Sequence, residues 1–187
     1  MAVVWAWDFS FMKKSDRIKK EADLTMSKIR ALTRHIRNVE DNCLILGEKL
    51  INQGETDLGK RLIANGFVHD ASKFRGIEWE SIVPGKSSDE VADKKLKMKF
   101  AISNHCQTNP HHVEYWGSID KMPSVYVAEM CADWKARSEE FGTSLRDWID
   151  SVATKRWSFD VDSKTYKEIM RFVDLLCEKP FEPITHT

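Results

Sequence analysis

Apolar residues recur at steps of three and four along almost the whole chain, a period that predicts helices. The clearest stripe is Ile29, Leu32, Ile36, Val39, Cys43, Leu46 and Leu50. It defines one buried face of a long helix that Ser15-Asp16 would cap and Gly54 would end. A shorter helix follows over Glu55 to Asn65, stopped by Gly66, and another begins within Phe67 to Phe74. Arg75 to Ser88, with Gly76, Pro84, Gly85 and a serine pair, reads as a loop able to border a cleft. Asp89 to Cys106 forms a basic helix carrying Val91, Met98, Ile102 and His105 on one face. Asn109-Pro110 reads as an N-cap with proline in the first turn, which sets His111 and His112 at a helix start. Met122-Pro123-Ser124 opens a helix on which Tyr126, Met130, Asp133 and Arg137 share a face, and Gly142 closes it. The last two helices run from Ser144 to Trp157 and from Ser163 to Lys179. Val3 to Phe9 is the one stretch with strand-like alternation. The expectation is therefore an all-α chain. A single irregular bundle of about seven or eight helices would span residues 15–179, with an apolar segment at 1–14 and a tail at 180–187.

A chain of 187 residues can bury one sizeable core without disulfide or metal staples. Its formal net charge is zero and its pI near 7.0, so no basic field exists for a nucleic-acid polymer or a membrane surface. A small anionic substrate held by a metal stays open. The apolar start, Met1 to Trp7, lacks a basic n-region and is too short to span a bilayer, so a soluble protein is expected. Cys43, Cys106, Cys131 and Cys177 form no CxxC pair and read mostly as buried free thiols in a reducing cytoplasm. The segment containing Trp5, Trp7, Phe9 and Phe11 has two candidate covers, its own core or a second subunit of a homodimer.

Candidate chemistry gathers around His69-Asp70-Ala71-Ser72-Lys73. His35 lies 34 residues before His69, and Asp133 lies 63 residues after Asp70. His105, His111 and His112 fall between, so five of the six histidines belong to this series. Neutral imidazole and ionised carboxylate are ordinary ligands of catalytic divalent metals. His35 and Asp133 share helical spacing with core residues, where an unpaired carboxylate is costly and a metal is a simple partner. On a helix, His69 and Asp70 would diverge by about 100° and share an ion only in the groove between them. Taken one at a time, these residues read better as a core histidine, a capping aspartate and surface charges; the metal reading rests on their positions together. A helix start disfavours cationic histidine, which keeps His111 or His112 in the neutral, ligand-competent form. Arg137, one turn after Asp133, suits a phosphate or carboxylate. Glu114 is a second candidate for a pocket wall. Phosphate-binding glycine loops and GxSxG elbows are absent.

The order His35, His69-Asp70, Asp133 resembles the H…HD…D ligand pattern of the HD-domain superfamily of metal-dependent phosphohydrolases. The stretch from about Arg30 to Trp148 is similar to an uncharacterised HD-like family common in bacteriophage genomes, in which HDxSKF, NPHHxEYW and EMxxDW recur. Here these are His69–Phe74, Asn109–Trp116 and Glu129–Trp134. The resemblance implies a metal-activated water attacking a nucleotide or other small phosphoester, in the cytoplasm of a host cell if the gene is a phage's. The ion would be Mn, Fe, Co, Mg or Zn, held by His35, His69, Asp70 and Asp133. A second ion would fall to His105, His111 or His112, although His105 and His111 are closer in sequence than is usual in the superfamily. Lys73 matches the HDxxK pattern of cyclic-dinucleotide phosphodiesterases of the superfamily and would hold a phosphate or leaving-group oxygen. Two alternatives accompany this reading. One is a di-iron oxygenase on the same fold, and the other is a non-enzymatic helical binding module with a structural metal.

Overall fold

The computed structural model describes residues 6–83 and 91–178, with side chains described over 15–83 and 94–178. The described residues contain no strand. Helix α1 (Ala6–Asn52) is followed by α2 (Thr56–Val68), a 3₁₀ turn (Ala71–Phe74), α3 (Gly76–Ile82) and α4 (Val91–Thr108). Then come α5 (Val113–Trp116), α6 (Ser124–Phe141), α7 (Leu145–Trp148), a π-helical segment (Ile149–Ala153), α8 (Thr154–Arg156) and α9 (Lys164–Cys177). The run from α7 through α8 is one rod, so the all-α bundle of seven or eight helices expected from periodicity is what the described residues form. No helix among them is long and apolar enough to cross a membrane.

The core lies where periodicity put it. Val39, Cys43, Leu46 and Leu50 of α1 are fully buried, and α2 and α6 pack against that face. Helix α6 is central: Val127, Ala128, Cys131, Ala132 and Ala136 are fully buried, and Met130 and Trp134 nearly so. Small residues on several of its faces let neighbours approach from more than one side. Helix α9 closes the core with Ile169, Phe172 and Val173. Ser144 and Ser163 accept from the backbone N–H groups of Asp147 and Tyr166, 3.3 and 3.1 Å away, so both are N-caps where the sequence put helix starts. Gly142 ends α6 in the left-handed conformation, φ 64°.

Five boundaries differ from the sequence reading. Helix α1 starts by Ala6, so Ser15-Asp16 lie inside it and residues 6–9 are helical, not a strand. Its residues 15–28 are exposed apart from Thr25. Gly66 does not stop α2. It sits within the helix because a Cβ there would lie 2.7 Å from Cys43 Cβ, and the α1–α2 crossing requires its absence. Phe67–Phe74 is therefore the end of α2 followed by a 3₁₀ turn, not a new helix. The segment read as a loop contains α3. Asn109 caps no helix: α5 begins at Val113 behind His112. Val3 to Trp5, Pro84 to Ser88, the Val91 side chain and the tail at 180–187 lie outside the described residues. The four cysteines are free, as expected; Cys43 and Cys131 are buried, Cys106 is half-buried and Cys177 is exposed.

Candidate metal centre

Separate elements bring the histidine series together. His35 comes from α1, buried on the flank of its apolar stripe, and Asp133 from α6. His69 is the C-terminal cap of α2 and Asp70 follows in the left-handed region, φ 56°. The two are thus not successive positions of one helix, and the 100° divergence does not arise. Aspartate tolerates this conformation better than most residues. His105 lies in the last turn of α4, and His111 and His112 precede α5.

The ligand-capable atoms of His35, His69 and Asp70 lie within 4.8 Å of one another, as do those of His69, His111 and Asp133 and those of His105, His111 and His112. Such spans suit atoms each about 2.0–2.2 Å from a shared ion. Five buried atoms make no hydrogen bond to any described residue: Nε2 of His69, His111 and His112, Oδ1 of Asp70 and Oδ1 of Asp133. Asp70 Oδ1 is 3.0 Å from His105 Nε2, and Asp133 Oδ1 is 3.0 Å from His35 Nε2, yet neither carboxylate oxygen is aligned as an acceptor. Buried polar atoms are otherwise almost always satisfied. Nitrogen and oxygen lone pairs crowded together without hydrogen bonds are what an ion-binding set presents, and the residues fit a divalent ion. Asp70 belongs to both halves: Oδ2 is 3.7 Å from His69 Nε2, and Oδ1 is 3.5 Å from His111 Nε2.

Behind the imidazoles stand three carboxylates. His35 Nδ1 lies 2.9 Å from Glu140, His69 Nδ1 3.0 Å from Glu129, and His105 Nδ1 2.8 Å from Glu78, while His111 Nδ1 is 3.4 Å from Glu129. A carboxylate can only accept here, so Nδ1 of His35, His69 and His105 carries the proton and donates. The lone pair is left on Nε2, aimed at the cluster. Asn65 and Asn104 donate to Glu129 and Glu78 at 2.9 and 3.1 Å, and Arg137 to Glu140 at 2.9 Å.

Burial alone would raise the pKa of Asp70, Asp133 and Glu129, but neighbouring imidazoles win. Asp70 is held well below its usual range by His105, His69 and Lys73, and Asp133 by His35, His69 and His111. Glu129 is lowered to about 2 despite burial because His111 and His69 face it. His112 is lowered to about 3 by burial and by the neighbouring His111 and His105. Burial pulls His69 down, but Glu129, Asp70 and Asp133 outweigh it and its pKa is raised. An ion taken up at His69 therefore displaces a proton.

The cluster opens onto a cavity of about 560 Å³ lined by His35, Asp70, His105, His112 and Asp133 at its polar end. Lys73 lines it too, its Nζ 3.0 Å from Asp70 Oδ2, so the ammonium is braced by a candidate ligand. Arg137 lines the cavity as well. Glu114 does not line the cavity. It is exposed on α5 and accepts from Trp157 Nε1 and Arg156 at 3.3 and 3.4 Å, because α5 turns it toward the chain after α8.

Glu78, Glu129 and Glu140 were not among the sequence candidates. Two carried a readable signal, since Glu129 and Glu140 lie four before and seven after Asp133, on one face of α6. Glu78 carried none, because its segment reads as a loop.

A family model described as a family of unknown function (DUF5662) matches residues 25–177, and the chain belongs to that family. The match spans every candidate ligand and stops short of the first turns of α1. No match was found among curated proteins or among solved structures.

Proposed function

We propose that this protein is a metal-dependent phosphohydrolase of the HD type, acting on a nucleotide or other small phosphoester. The observation that carries the reading is the set of unsatisfied buried Nε2 and carboxylate oxygen atoms, three of which belong to residues lining an open cavity, Asp70, His112 and Asp133. His35, His69, Asp70 and Asp133 would hold one ion, and His105, His111 and His112, with Asp70 shared, a second. Bound there, such ions acidify water and neutralise phosphoryl charge. The protein's own groups do the rest. Glu129, Glu140 and Glu78 fix the imidazole tautomers and orientations. Lys73 presents a positive charge to the cavity beside Asp70 and would stabilise an oxygen that gains charge.

The cavity argues against a purely structural ion, since structural sites are closed. The imidazole-rich donor set favours a second reading, a di-iron oxygenase, because nitrogen ligands suit iron as well as zinc. Elemental analysis of purified protein, followed by phosphate release from a nucleotide panel with added Mn, Co, Mg or Fe, tests the first reading. An iron absorption band on exposure to air with no phosphate release would favour the second. Asp70→Asn keeps a residue tolerant of the left-handed turn. It should fold, lose bound metal and lose turnover, and stoichiometric metal in that variant would put the centre elsewhere.

A further inference from the structure

Beyond the ion-facing end, the cavity changes character. Ile82, Met98, Ile102, Trp134, Trp148 and Phe141 form its walls. Trp134 stands next to the candidate ligand Asp133, and Trp148 meets it edge-on with ring centroids 5.1 Å apart. Met98, Ile102 and Phe141 are apolar yet 42, 55 and 73% exposed. Large apolar side chains left in water on the walls of one cavity are a surface that a ligand would cover. The charged lining is balanced. Its described cations are Lys73, Arg137 and Arg156, and its described carboxylates are Asp70, Glu78 and Asp133. Each cation already faces a carboxylate, at 3.0 Å for Lys73 with Asp70, 2.9 Å for Arg137 with Glu140 and 3.4 Å for Arg156 with Glu114. Beyond the ions and Lys73 at the histidine cluster, the described lining adds only Arg137 and Arg156, each already facing a carboxylate, so a second and third phosphate would find no unpaired cation there.

We infer that the ligand is amphiphilic: a single phosphoryl head at the histidine cluster and an apolar body, aromatic or alkyl, against the walls built by α4 and the tryptophans. This deepens the phosphohydrolase reading and rests on it for the identity of the head. The cavity volume, about 560 Å³, lies within the range of sites for small molecules of drug or cofactor size. A polyphosphate with a polar body uses neither the apolar walls nor the charge balance.

The test measures binding and turnover separately on the metal-loaded protein. Methyl, butyl, phenyl and naphthyl phosphate share one head, and nucleoside mono-, di- and triphosphates share one body. Binding is followed by titration calorimetry, with quenching of tryptophan fluorescence as a second readout. Each methylene moved from water to an apolar wall is worth about fourfold in affinity, so butyl should bind up to about sixtyfold tighter than methyl phosphate. Added phosphates should bring no gain. Ile102→Ser and Met98→Ser, at exposed positions that tolerate polar residues, should each shrink the butyl-to-methyl ratio severalfold. Affinity independent of the body, tightening with each added phosphate, or an unchanged ratio in both variants would overturn the inference. The series holding while no ester releases phosphate with any ion would uphold the amphiphilic site and sink the phosphohydrolase reading instead. Phosphate release with a triphosphate preference would do the reverse.

Discussion

Glu129 offers the sharpest way to probe the centre without touching a candidate ligand. Its carboxylate accepts a hydrogen bond from His69 Nδ1 at 3.0 Å, lies 3.4 Å from His111 Nδ1 and is held by Asn65 at 2.9 Å. The pKa of this buried group falls from 4.5 to about 2. At 1.36 kcal/mol per unit, that drop corresponds to about 3 kcal/mol of preference for the charged form. Replacing the partner of a single metal-bound histidine commonly costs 10–100-fold in affinity, and Glu129 faces two. Glu129→Gln keeps the shape and removes the charge. It should weaken metal binding about a hundredfold, which is also about 3 kcal/mol. The assay is competition against a chromophoric chelator at pH 8, where protons compete least for His69. Glu48→Gln, on the exposed face of α1, serves as the control. The sign of the pH effect is a second check. A depressed carboxylate stabilises the fold fully above its ordinary pKa of 4.5 and loses that contribution as the pH falls toward 2. The metal-free variant should therefore be less stable than wild type at pH 7, with the gap narrowing in acid. Metal affinity within threefold of wild type would refute the idea that these carboxylates orient the ligands.

Four further outcomes are expected. Lys73→Ala should retain its metal and lose about a hundredfold in turnover, with Lys73→Glu worse still; equal rates for all three proteins at matched metal would remove Lys73 from the mechanism. Metal affinity should fall below about pH 6 as protons compete for imidazole. In the chelator-treated protein two histidines oppose each other: raised His69 stabilises it fully below 6.5 and less as pH climbs through the raised value, whereas His112, lowered to about 3, costs stability as the pH falls below 6.5. His112→Gln should therefore raise the melting temperature with EDTA more at pH 5.5 than at pH 8.5, and an equal shift at both would contradict this. Gly66→Ala should lower stability by about 1–3 kcal/mol in urea titrations, because the new methyl meets Cys43 Cβ at 2.7 Å across a buried helix crossing.

Helical period and the ligand candidates were legible in the sequence because both are local. The stripe from Val39 to Leu50 and the caps at Ser144 and Ser163 follow from residue type and spacing within a turn or two of chain. The histidine series could be singled out because few other residue types ligate metals. Long-range contact decided the rest. Gly66 carries the local signature of a helix stop, yet the α1–α2 crossing needs a residue with no side chain there and keeps the helix going. The segment around Glu78 looks like a loop, yet packing against α4 makes it a helix and places a buried carboxylate behind His105. Asp70 looks like the next position on a helix after His69, and only the left-handed turn swings it between the two groups of imidazoles. Sequence spacing states which atoms are available as ligands. Which of them converge, which carboxylate stands behind each, and what wall the ligand meets are set by contacts between residues up to a hundred positions apart, and no local pattern encodes those.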